Sequence, residues 1–76
     1  MYAIEREVVA QETRWYWTGK KWAKDAGKAL AGCLVETEEE MRRLFHGKPD
    51  TYFRENRFAI VWLEKHGYNS VSVHAV

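Results

Sequence analysis

This chain has one cysteine, one proline and almost no net charge, and each shortage excludes something. A lone Cys33 rules out an internal disulfide framework and fits a reducing, cytoplasmic setting. Twelve Lys and Arg against eleven Asp and Glu leave a formal charge of +1, so attraction of the whole protein to nucleic acid or acidic lipid is not expected. Any such binding needs a local patch. No apolar run is long enough to span a membrane, and Glu5, Arg6 and Glu7 interrupt any signal-peptide pattern. Glycine is sparse, and Gly27, Gly32 and Gly47 lack the spacing of a phosphate-binding loop. His46, His66 and His74 are scattered and have no second cysteine to complete a metal site. No Ser or Cys stands in a nucleophile elbow. The expectation is a protein without catalytic residues, metal or cofactor.

Seventy-six residues make one domain, 1–76. A chain this short buries only about 60% of its unfolded surface, so it has little stability to spare. Four tryptophans, four tyrosines and three phenylalanines compensate in part, because each ring carries a large apolar area.

Three of the tryptophans crowd into Trp15-Tyr16-Trp17-Thr18-Gly19-Lys20-Lys21-Trp22. A Gly-Lys pair between two β-prone segments predicts a two-residue hairpin loop, with Gly19 taking the positive φ. In that register Trp17 faces Trp22, Tyr16 faces Ala23 and Trp15 faces Lys24. The strands expected are Thr13–Thr18 and Lys21–Lys24. Before them, residues 2–9 alternate as a strand with Tyr2, Ile4, Arg6 and Val8 mostly inward. Ala10–Glu12 is the connection. Asp25-Ala26-Gly27 ends the hairpin, and Lys28–Glu36 reads either as a helical turn or as a strand.

Thr37 with Glu40 three residues on predicts a capped helix start. Glu38, Glu39 and Glu40 suit its positive end, and Arg42, Arg43 and His46 its negative end. Met41, Leu44 and Phe45 form its apolar stripe. Gly47 is the C′ residue and Pro49 blocks continuation. A second helix is expected from Asp50 to His66, closed by Gly67 with Tyr68 folding back on Leu63. The run Phe58-Ala59-Ile60-Val61-Trp62-Leu63 suits a buried strand equally well, but length and the Gly67 stop favour helix. As a helix it leaves Phe58, Val61 and Trp62 in need of another partner. A last strand, Asn69–Val76, is expected beside the first, with His74 outward. The fold class is α+β: three or four mainly antiparallel strands covered on one face by two helices.

Tyr16-Trp17-Thr18-Gly19, then Trp22, Ala29, Leu34 and Thr37-Glu38-Glu39-Glu40, resemble a pattern in small phage and prophage α+β proteins. The resemblance covers roughly residues 13–46, and segment 48–67 is extra. Some proteins of that kind are anti-CRISPR inhibitors, which cover a surface of a nucleoprotein effector. The resemblance therefore implies a non-enzymatic binding protein in the host cytoplasm, with a protein or nucleoprotein partner. Trp15, Trp17, Lys20, Lys21 and Trp62 are the candidate contacts, since aromatic and charged residues dominate interface energetics. Two alternatives remain open. One is a nucleic-acid site made by Lys20, Lys21, Lys24 and Lys28 beside stacking tryptophans. The other is a homodimer that buries Phe58 and Trp62 between copies.

Overall fold

The structure, a computed structural model, describes residues 1–63 and the backbone of 72–75. Its elements are β1 (Tyr2–Val8), a 3-10 turn (Val9–Gln11), β2 (Thr13–Trp17), β3 (Trp22–Ala23) and a second 3-10 turn (Ala26–Lys28). Then come α1 (Leu34–Phe45), α2 (Asp50–Glu55), β4 (Asn56–Trp62) and β5 (Ser72–Ala75). The class is α+β, as expected. The five strands lie in the order β3-β2-β1-β4-β5, and every neighbouring pair is antiparallel.

The hairpin has the expected register: Trp17 opposes Trp22 and Tyr16 opposes Ala23. Gly19 sits at φ +97, where a side chain would be strained. Thr18 closes the turn. Its N–H donates to Lys21 O at 2.9 Å, and its hydroxyl oxygen accepts from Lys21 N at 3.1 Å.

Helix α1 begins earlier than its acidic run suggests. Cys33, not Thr37, is the N-cap, and the capping box pairs it with Glu36. Thr37 instead lies inside the first turns, 4% exposed, and its hydroxyl donates to Leu34 O at 2.8 Å. The earlier start lets Leu34 pack on the sheet with Met41, Leu44 and Phe45. Lys28–Val35 is thus neither one helix nor one strand. It holds the end of a 3-10 turn, an isolated bridge from Gly32 to Tyr2, and the start of α1. The C-terminal signals read correctly: His46 is the C-cap and Gly47 follows at φ +76.

The expected long second helix is corrected. It stops at Glu55, and Asn56 at φ −130, ψ 140 turns the chain into β4. β4 pairs with β1 along its whole length, from Tyr2 opposite Trp62 to Val8 opposite Asn56. A strand here buries both faces of the apolar run. Phe58 and Ile60 join Ile4 and Met41 under the helices. Val61 joins Ala3, Tyr16 and Ala26 on the opposite face. A helix would have wrapped the same residues around its circumference with no cover for half of them. β5 lies beside β4, not beside β1, because β1 already has β2 and β4 as neighbours. The expected roles of His66, Gly67 and Tyr68, and the side chain of His74, lie outside the described residues.

Candidate functional site

The expected contact residues separate into two groups. Trp15, Trp17, Lys20 and Lys21 belong to the hairpin, and Trp62 ends β4 on the far side of β1.

Within the hairpin, each tryptophan already has an intramolecular neighbour. Trp17 is half-buried, with its ring 5.2 Å from Trp22, and its indole N–H donates to Glu40 Oε1 at 3.0 Å. The same oxygen accepts from Arg43. That hydrogen bond, resisted by burial and reinforced by Trp17, holds the Glu40 carboxyl below its ordinary pKa. Trp15 donates to Thr13 Oγ1, and the Lys24 ammonium lies 5.2 Å from its ring centroid. The Arg6 guanidinium lies 4.8 Å from the Trp22 centroid. Lys20, Lys21, Lys24 and Lys28 are all exposed.

A different arrangement gathers around Trp62, which is 39% exposed and meets Tyr2 edge-on at 4.9 Å. Three chain segments converge there. Met1 and Leu63 exchange backbone hydrogen bonds, with Leu63 N donating to Met1 O at 2.7 Å. Tyr2 and Gly32 exchange two more, at 2.7 and 2.9 Å. Leu30 N donates to Trp17 O at 2.6 Å. These bonds tie the start of β1, the end of β4 and the segment before α1 into one end of the sheet. Of the exposed apolar side chains, Met1 and Trp62 meet at this pairing of β1 with β4, Leu30 lies beside Gly19 of the hairpin turn, and Val35 stands in the first turn of α1.

Phe58 is 1% exposed in the main core, so the expected dimer face that paired it with Trp62 is not formed. Met1 carries no signal in sequence, because only the pairing of β1 with β4 brings it beside the end of β4. Arg6 did carry one: a charge at an inward position of an alternating strand. Among the described residues, no three His, Cys, Asp or Glu side chains come close enough to share a metal ion. No helix among them is long and apolar enough to cross a membrane. Compared with protein-family models, curated proteins and solved structures, this chain matches none.

Proposed function

We propose that this chain is a non-enzymatic binding domain that docks a protein surface at the Trp62 end of its sheet. One observation carries the reading. Trp62, a large aromatic ring, stays 39% exposed at the end of β4, and the next residue, Leu63, is hydrogen-bonded to Met1, itself exposed. Scattered exposed apolar residues are ordinary, whereas a partly open tryptophan is the residue type that most often anchors an interface. The resemblance to small phage proteins makes a CRISPR or other host-defence complex in the host cytoplasm the partner class to test first.

The test is capture of purified defence complexes on the immobilised protein. Wild type is expected to retain one of them stoichiometrically. Trp62→Ala should weaken that binding about 30-fold, the loss of one central aromatic contact. Lys21→Gln, at the hairpin tip, should change it little. Binding that survives Trp62→Ala would move the interface elsewhere. The nucleic-acid alternative is favoured by the four exposed lysines. It is opposed by the two indole faces already covered by Lys24 and Arg6. Affinity for single-stranded DNA that falls steeply with salt would favour it instead.

A further inference from the structure

Arg6 projects from the middle of β1 onto the helix-covered face, between Trp15 on β2 and Phe58 on β4. Its guanidinium lies over Trp22, and its Nε is buried with no hydrogen-bond partner. A polar N–H out of water and unbonded is costly, more so on a charged group. The neighbouring carboxylates are committed elsewhere. Strand alternation sends Glu5 and Glu7 to the opposite face, where Glu5 accepts from the Tyr16 hydroxyl and Glu7 pairs with Arg57. Glu40 holds Arg43 and Trp17. Among the described residues, neither Arg6 nor Lys24 has an acidic partner. Lys24 lies over Trp15, the direct cross-strand neighbour of Arg6, and its exposed stem is free to swing toward it. Arg6 and Lys24 thus stand over two tryptophans of the same hairpin, with no acidic partner among the described residues.

We infer that Arg6 and Lys24, set on Trp22 and Trp15, form a binding site for a phosphate monoester. Two positive groups match the charge of about −1.5 to −2 that a monoester carries at neutral pH. A carboxylate or a phosphodiester supplies only one negative charge. The planar guanidinium fits phosphate oxygens in pairs, and the ammonium adds a movable point charge. With a cation already over each of these indoles, the phosphate itself is the recognised group. The site is four residues along β1 from Tyr2, about 13 Å in an extended strand, and is independent of docking at Trp62.

The test is a titration of ¹⁵N-labelled protein with inorganic phosphate at constant ionic strength, following Arg6 Nε–H and the Trp22 and Trp15 indole N–H signals. Saturable shifts confined to these signals are expected, with chloride and acetate producing none. Lys24→Gln changes an exposed side chain and leaves the core intact; it should weaken binding about threefold, and Arg6→Gln about tenfold. Thymidine 5′-monophosphate and a phosphoserine peptide distinguish a nucleotide source from a protein one, and each should move the same signals. Equal shifts with chloride or acetate would overturn the site. So would tighter binding of an oligothymidylate that lacks a terminal phosphate.

Discussion

Glu40 shows how one side chain fastens two elements. It stands on α1 and accepts from the Trp17 indole of β2 and from Arg43 one turn on. Trp17→Phe removes the indole donor and keeps most of the ring. It should cost about 1.5–3 kcal/mol in urea unfolding, the value of a hydrogen bond to a charged group. The pH dependence has a definite sign. A carboxyl held below its ordinary 4.5 stabilises the fold fully above that value, and the contribution disappears as pH falls through the lower, folded-state pKa. Wild-type stability should therefore fall more steeply than that of Glu40→Gln between about pH 5 and pH 3. Parallel slopes would mean that Glu40 is not held in the pair in solution. Gly19 is a second position where one residue decides: Gly19→Ala at φ +97 should cost about 1 kcal/mol through backbone strain alone.

At the scale of elements, β4 separates local from tertiary information. Phe58–Leu63 is continuously apolar, so its periodicity does not distinguish strand from helix. What decides is that β1 offers a hydrogen-bonding edge and both sheet faces offer cover. Phe58 then packs against Phe45 at 4.6 Å, Tyr52 at 5.3 Å and Trp22 at 6.1 Å. Phe58→Ala should cost about 3–5 kcal/mol and leave so small a domain largely unfolded in chemical denaturation. Trp62→Ala, at the rim, should cost under about 1 kcal/mol. On an exposed helix the two substitutions would have been comparable. α1 makes the same point at its start. The Thr37–Glu40 pattern is a valid capping signal, yet the helix extends back to Cys33 because Leu34 gains burial on the sheet. Its end was legible, since Gly47 and Pro49 act through local backbone geometry that packing does not alter.

Across the whole molecule, β1 and β4 are the centre of the sheet, with β2 and β5 as their outer neighbours. Amide exchange should be slowest along these two strands and fast at the hairpin tip. Equal protection in β3 would contradict that order. The sequence alone determined what depends on near neighbours: the hairpin and its register, the alternation of β1, the stop after Phe45, and the α+β class. Tertiary structure decided what depends on partners distant in the chain. It made Phe58–Trp62 a strand, put β4 beside β1, and brought Met1 to the end of β4. It also left Arg6 on an aromatic wall with its acidic neighbours turned away. The physical reason is that backbone preferences act over a turn or two, whereas burial is settled only when the whole sheet has closed.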